Sequence, residues 1–523
     1  MSKTTSDILF RFIKSLSPTE KRYFKLFASR HTIGNKNEYL KMFEAIDKME
    51  AYDEAALRKT FRRLKAKNSF SIAKNRLYET ILRSLDAFHS ESSVDVQLRS
   101  QLHYAEILYK KSLYDECHKM LLKSKKLAIR YEKHSILLDI YKWEKKLIEK
   151  DGYATITEEG LMNLLEDDML ILDKINNYAD FWNLKSRLFF KLNRYGKVRD
   201  LKELQEFKTI IDNVLLKSEE AALTYETRCL HAHIYSAYYF GTGDYYKSFD
   251  YIKKHLELME STPEMLLEEP NKYFAALSNM IYLCTQLNKY KEIPLFLKRL
   301  KEIPVMLGKK TTEDLEIKLF STSMSAELTL YIQTGQFKKA ELLIPALING
   351  LKKYKDKINK MREAFFYFNI AIVYFAIGKY NEALKWLNRL LNDSDLDANQ
   401  DIHAFARIFD LVVHLEIGNN QLIPYTLRSV QRYLTKRKRM YKFETVFLDF
   451  VKVISRSPNE STKQKSFELL YNDLVKISKD PFEKPVFEYF DFLTWAESRL
   501  NKTGFAETLK RKMAENKNVP FEA

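Results

Sequence analysis

Proline, which interrupts helices, is missing from the whole stretch between Pro18 and Pro263. Glycine is also scarce, at 12 of 523 residues, whereas strand-rich and α/β folds need both residue types for their tight turns. The stretch is rich in Leu, Lys, Glu and Ala, which are strong helix formers. Because 46% of the residues are hydrophobic, the chain can bury large cores. The sequence therefore predicts an all-α protein made of many successive helices.

A short pattern recurs along most of the chain and predicts where one helix ends and the next begins. In its clearest copy the anchor is Gly378, followed by the aromatic Tyr380 two residues later. The small residues Ala371 and Ala383 stand seven before and five after the anchor. Looser copies have their anchors at Ser112, Asn193, Gly243, Asn288, Gly335 and Gly418. Gly and Asn tolerate the left-handed conformation that ends a helix, and small facing residues let two helices approach closely, so each copy predicts a helical hairpin.

The segment 364–391 resembles a tetratricopeptide repeat. The family's small, aromatic and alanine positions are filled here by Ala371, Tyr374, Ala383 and Leu387. Segments 231–258 and 325–348 show weaker forms of the same resemblance. The anchors from Asn193 onward are 40 to 50 residues apart, longer than the family's usual period of about 34 and close to that of HEAT or armadillo repeats, about 40–47. The turn with glycine and an aromatic favours the tetratricopeptide-like interpretation, which implies a right-handed α-solenoid of stacked hairpins.

Composition and turn signals predict three domains. Residues 1–90 form a basic helical domain, residues 95–455 form the repeat array, and residues 456–523 form helices that cap its end. In the first domain, Ser17 and Glu20 have the spacing of a capping box around Pro18. Inside the array, Asp151-Gly152 predicts the turn of one further hairpin.

Two basic clusters are candidate contacts for nucleic acid or for an acidic peptide. Residues 1–90 contain 19 Lys and Arg against 10 Asp and Glu, and contribute much of the net charge of +17. Each cluster places its cations along one helical face. The first consists of Arg58, Arg62 and Lys65, and the second of Arg428, Arg432, Lys436 and Arg439. The alternative is that both are solvated helix faces of a basic protein.

The family resemblance also implies a partner-binding groove on the first helix of each hairpin. The residues that would line it are His233, Phe240, Tyr282, Thr329, Phe368, Ile372 and Phe375. A groove lined by aromatic residues suits a partner helix or an extended peptide. The alternative is that these side chains pack between neighbouring hairpins.

Motifs for catalysis do not stand out in the sequence. We find no phosphate loop, dinucleotide fingerprint, nucleophile elbow or pair of zinc histidines, so we expect no catalytic residue, cofactor or metal. Cys229, His231 and His233 alternate along a helix, where alternate side chains point about 200° apart and do not converge on one ion. Three widely spaced cysteines fit a reducing cytoplasm, and no segment has the length and apolarity of a signal peptide or a membrane span.

The sequence favours a protein-interaction scaffold, not an enzyme, acting through a bound peptide or protein segment. The alternative is a transcriptional regulator whose basic N-terminal helices bind nucleic acid while the array senses a protein or peptide.

Overall fold

In a computed structural model the chain is helical over most of the part that the structure describes. That part is residues 7–516 without 31–37, 62–68, 91–92, 196–197, 199–200, 309–310, 356, 394–399, 438–439, 458, 481–482, 484–485 and 488. No strand occurs among these residues, which confirms the predicted all-α class.

The chain divides into two compact units. The first comprises Met1–Asp180 and Leu223–Tyr225, and the second comprises Phe181–Ala222 and Glu226–Ala523. The helices of the first unit are α1 (Ile8–Ser15), α2 (Pro18–Arg30), α3 (Glu38–Lys48), α4 (Glu54–Thr60), α5 (Ser69–Phe88), α6 (Val94–Lys110), α7 (Tyr114–Arg130), α8 (His134–Lys150) and the part of α9 (Glu158–Tyr195) up to Asp180.

The helices of the second unit begin with the remainder of α9. They continue with α10 (Leu201–Ile211), α11 (Tyr225–Gly241, from Glu226), α12 (Tyr245–Glu260), α13 (Pro263–Glu268), α14 (Pro270–Gln286), α15 (Ile293–Leu307), α16 (Glu313–Gln333), α17 (Phe337–Lys353), α18 (Lys360–Ala376), α19 (Tyr380–Asn392), α20 (Gln400–Ile417), α21 (Ile423–Lys436), α22 (Lys442–Ile454), α23 (Glu460–Ile477), α24 (Phe492–Leu500) and α25 (Phe505–Asn516).

The predicted capping box at the start of α2 is confirmed. The backbone N–H of Ser17 donates to the Glu20 carboxylate at 2.7 Å, and the N–H of Glu20 donates to Ser17 Oγ at 3.3 Å. Two backbone donors that the helix itself leaves unpaired are thereby satisfied. Helices α1 to α5 enclose a core in which the rings of Phe24 and Phe43 lie 4.5 Å apart.

Most of the predicted anchors end a helix in the left-handed conformation. Positive φ angles between 55° and 84° occur at Ser112, Gly243, Asn288, Gly335, Gly378 and Gly418, and also at Gly152 in the additional turn. The hydrogen bonds after Gly378 show the geometry: Gly378 N–H donates to Phe375 O, and Lys379 N–H donates to Tyr374 O at 2.8 Å. These two bonds form a Schellman motif, which satisfies carbonyls at the end of a helix.

The other residues of the pattern have the contacts that the hairpin geometry predicts. The aromatic two residues after the anchor packs on an aromatic three residues before it, as in Phe375–Tyr380, with ring centroids 5.4 Å apart. The equivalent pairs are Tyr109–Tyr114 and Phe240–Tyr245. The two small positions face each other across the hairpin, where Ser248 Oγ donates to Ser236 O at 2.8 Å.

The anchor predicted at Asn193 is wrong, because this residue lies inside α9 and not at a turn. Helix α9 is 38 residues long, and its buried residues Phe181, Leu184 and Leu188 continue one apolar face toward Asn193. Asparagine permits a left-handed turn but does not require one, and the exposed Asn193 stays helical, two residues before α9 ends at Tyr195.

Successive helices pack on each other through most of the second unit. Each helix from α14 to α24 contacts the helix that follows it in the chain. The first helices of neighbouring hairpins also touch, since α14 contacts α16, α16 contacts α18, and α18 contacts α20. The four first helices α14, α16, α18 and α20 therefore lie side by side in chain order.

The C-terminal residues return to the hairpin turns of α16–α17 and α18–α19. The ring of Phe505 lies 6.0 Å from that of Phe337 and 5.8 Å from that of Phe375. Farther along, Glu416 at the end of α20 accepts hydrogen bonds from Trp495 Nε1 at 2.8 Å and from Arg499 at 3.1 Å. Residues of α24 and α25 therefore belong to the same core as α16 to α20.

Candidate functional surfaces

Phe240 and Tyr282 are the two predicted groove residues that the structure brings together at an accessible position. Phe240 lies on α11 and Tyr282 on α14, and their rings meet edge to face with centroids 5.9 Å apart. Tyr282 is 43% exposed, and Phe240 is partly exposed and also contacts Tyr245. Because the first helices of two hairpins each supply one ring, the hairpin packing itself assembles this aromatic pair.

His233 is more enclosed than the groove hypothesis predicts. Its ring stacks on that of His255 at 5.4 Å and meets the edge of Phe189 at 5.1 Å. Burial lowers the pKa of His233 to about 4, and the neighbouring cations of Lys185 and Lys272 contribute to the shift. At neutral pH His233 is therefore a neutral, packed ring.

The groove prediction is corrected at Phe368, Ile372 and Phe375, which are core residues. Each is only 2% exposed. Phe368 and Phe375 both pack against Phe409 of α20, and Phe375 also contacts Phe490. The neighbouring helix and the returning C-terminal segment thus cover the face of α18 that would have lined a groove.

Thr329, the remaining groove candidate, is partly exposed on α16. Together with Phe240 and Tyr282 it makes up the accessible part of the predicted set. These three residues lie on the first helices α11, α14 and α16.

The first basic cluster is only partly within the described residues. Arg58 is held by Glu54 through two hydrogen bonds of 3.0 and 2.8 Å, and its guanidinium lies 4.4 Å from the ring centroid of Phe70. An Arg that pairs with a carboxylate on its own helix contributes little free positive charge. Arg62 and Lys65 lie outside the described residues.

The second basic cluster forms an exposed stripe on α21. Arg428, Arg432 and Lys436 are exposed and follow one another at intervals of four residues, and the guanidinium of Arg428 lies 5.0 Å from the ring of Tyr425. Arg439 lies outside the described residues. No geometry here converges on a single anion, so the stripe has the character of a charged helix face.

A stack of three tyrosines is an accessible feature that the sequence analysis missed. Tyr251 of α12 stacks on Tyr235 at 4.7 Å and on Tyr239 at 5.7 Å, both on α11. Burial raises the pKa of Tyr235 to about 12, so its hydroxyl stays protonated and donates to Leu216 O at 2.7 Å. The spacing of Tyr235 and Tyr239 by four residues, with a third tyrosine on the following helix, is the signal that indicates it.

Among the described residues, no helix combines the length and the apolarity that crossing a membrane requires. The same residues contain no group of three His, Cys, Asp or Glu side chains placed to hold a metal ion. A comparison with protein-family models gave no match, and neither did a comparison with curated proteins.

Proposed function

We propose that this protein is an interaction scaffold whose second unit binds a peptide or a helical segment of another protein. The observation that carries the proposal is the aromatic pair of the partly exposed Phe240 and the exposed Tyr282, assembled from two neighbouring first helices. The hairpins of this unit are proposed to stack as a right-handed, tetratricopeptide-like solenoid. The contacts of α14, α16 and α18 support this arrangement.

The chemistry of the pair suits reversible recognition. Tyrosine combines a large apolar ring with a hydroxyl, and such residues are enriched at the centres of protein interfaces. Thr329 offers a hydroxyl on α16, the first helix of the hairpin that follows the one containing Tyr282. A partner helix or extended segment running across α11, α14 and α16 would meet aromatic rings first and a polar group next.

We place the scaffold in the cytoplasm. All three cysteines are buried and none forms a disulfide, and burial raises the pKa of Cys284 to about 12. Thiols of this kind are inert and need no oxidising compartment.

A photo-crosslinking amino acid at position 282 tests the proposal in the native cell. We expect it to capture a defined protein that mass spectrometry identifies, and we expect Phe240→Ser to abolish the capture. The matched control is the same amino acid at Tyr246, an exposed tyrosine on α12. Equal capture at positions 282 and 246, or capture that survives Phe240→Ser in a chain with an unchanged circular dichroism spectrum, contradicts the proposal.

A further inference from the structure

Helix α9 carries an apolar stripe that faces solvent within the first unit. The stripe consists of Met162, Leu165, Met169 and Leu172, which are 54%, 46%, 60% and 40% exposed. Their successive spacings of three, four and three residues are those of the a and d positions of a coiled-coil heptad. Since helical residues with these spacings share one face, the four side chains form a continuous seam.

This seam is distinct from the face that α9 uses to pack within its own unit. Leu164 and Ile171 are buried in the core shared with α7 and α8. Between the two faces, Asp168 accepts an ion pair from Lys145 of α8. One edge of the seam is therefore closed by α8, while the other edge is open.

The open edge is acidic at every heptad. Glu159, Glu166 and Asp173 are seven residues apart at e positions of the heptad. Glu166 and Asp173 directly follow Leu165 and Leu172, and Glu159 lies about one helical turn before Met162. All three are exposed, and none forms an ion pair with a residue that the structure describes. In coiled coils the charges at the e and g positions select the partner.

We propose that this seam binds an amphipathic helix of another protein whose apolar face is bordered by Lys or Arg. The seam from Met162 to Leu172 is about 15 Å long, which is about three helical turns and matches a partner helix of similar length. Basic residues along the partner would pair with the open acidic edge, while its apolar face would cover the four seam residues.

A second copy of α9 is a poor occupant on electrostatic grounds. An antiparallel copy places the e positions of both chains opposite each other, so carboxylates face carboxylates. A parallel copy places Glu166 beside the g positions, where Asp168 already binds Lys145. Like charges at such positions destabilise the pair.

The proposed interaction uses the first unit and does not depend on the Phe240–Tyr282 surface. The proposal also predicts the charge of the partner, and this prediction is selective because a chain of net charge +17 repels a basic peptide overall. Binding of a basic helix therefore has to come from a local acidic surface.

The test is fluorescence anisotropy of the full chain with two designed helical peptides. Both carry Leu at a and d, one with Lys and the other with Glu at the e and g positions. We expect the Lys peptide to bind about tenfold tighter, the sum of a few charge pairs at 0.3–0.5 kcal/mol each. The triple variant Glu159→Lys, Glu166→Lys, Asp173→Lys should reverse this preference.

The matched control reverses the charge of three exposed acidic residues in the same unit but outside α9. Its substitutions are Asp86→Lys, Asp139→Lys and Glu149→Lys. It changes the net charge equally and should keep the preference for the Lys peptide. A second variant, Leu165→Ser with Met169→Ser, should weaken binding of both peptides.

Three outcomes overturn the proposal. They are equal affinity for the two peptides, no saturable binding of the Lys peptide, and a dimer in sedimentation experiments that Leu165→Ser with Met169→Ser dissociates. The last outcome would assign the seam to a second copy of this chain.

Discussion

At Gly378, a substitution changes the conformational free energy of a hairpin turn without changing the packing of side chains. Its φ is +79°, and apart from Gly378 itself and its two chain neighbours no heavy atom of the described residues lies within 4 Å of the position that a Cβ would take there. A side chain at Gly378 therefore meets no neighbour, and only the left-handed backbone opposes it. Ser112 and Asn288 carry side chains in the same conformation at other predicted turns, and Glu132, Tyr153 and Lys502 do so elsewhere, so the described residues already bear this cost five times.

We expect Gly378→Ala to lower the free energy of unfolding by about 1–2 kcal/mol, the cost of a left-handed residue with a Cβ. Urea denaturation followed by circular dichroism measures the change. The matched control is Gly504→Ala, where the added Cβ also meets open space and the backbone is not in the left-handed region. Equal effects of the two substitutions would show that the turn conformation is not the cause.

The stacked pair His233–His255 makes stability depend on pH. Burial is the main cause that lowers the pKa of His255 to about 3 and that of His233 to about 4. The neighbouring His233 contributes to the shift of His255, and the cations of Lys185 and Lys272 contribute to both shifts. The folded state therefore holds both rings neutral, while the unfolded chain protonates them near the ordinary pKa of about 6.5. The stabilisation is present above pH 6.5 and is lost as the pH falls from there toward 4.

We expect His255→Gln to flatten the acid side of the stability profile. Below pH 6.5 each such histidine costs about 1.4 kcal/mol per pH unit, so the variant should lose stability less steeply than the parent chain. The measurement is the free energy of unfolding at several pH values between 7 and 5. The control His103→Gln, at an exposed histidine of α6, should leave the slope unchanged. Parallel profiles for His255→Gln and the parent would exclude this pair as a source of the pH dependence.

At the scale of single elements, close approach of two helices determines which residue is tolerated. Gly350 lies within α17, and a Cβ built there would come within 2.0 Å of the ring of Phe320 on α16. The Phe320 ring also packs against the rings of Tyr354 and Phe366, with centroid distances of 5.4 and 6.5 Å. Glycine in a helix usually costs about 1 kcal/mol of stability relative to alanine. Glycine is present here because the Phe320 ring leaves no space for a Cβ, and not because the helix favours it.

We therefore expect Gly350→Ala to destabilise the protein by about 1–3 kcal/mol, as overpacking does, in place of the usual gain. Adding Phe320→Leu should recover much of this loss, because the shorter side chain vacates the space. A double-mutant cycle in urea measures the coupling between the two positions. A stabilising Gly350→Ala would mean that the ring moves aside without cost.

The helices and most turns could be predicted from the sequence because their causes are local. A Gly or Asn anchor followed by an aromatic indicates a turn, as at Gly243 and Gly335, through interactions within a few residues. The same reasoning fails at Asn193, which merely permits a turn and lies within α9, two residues before its last residue Tyr195.

The predicted groove shows the limit of such local reasoning. Phe240 and Tyr282 are accessible, whereas Phe375 is covered by Phe490, a residue more than a hundred positions away. Periodicity contains no information on contacts of that separation. One signal was available, since α18 is apolar on every side and such helices are usually buried.

On the scale of the second unit, the C-terminal residues connect distant hairpins into one core. Phe505 packs on Phe337 and Phe375, which begin and end helices of two different hairpins. Lys510 and Leu509 lie against Gly335 at the turn before α17. Here a single helix, α25, contacts the turns of two hairpins at once.

This arrangement predicts that loss of one C-terminal ring loosens hairpins far away in sequence. We expect Phe505→Ala to cost about 3 kcal/mol, as large core truncations do. Native-state hydrogen exchange should show faster exchange at the amides that close the turns at Gly335 and Gly378, while the turn at Gly243 keeps its protection. Leu469→Ala, at an exposed side chain of α23, is the control and should change neither. If exchange rises only within α24 and α25, the C-terminal helices cover the hairpins without stabilising them.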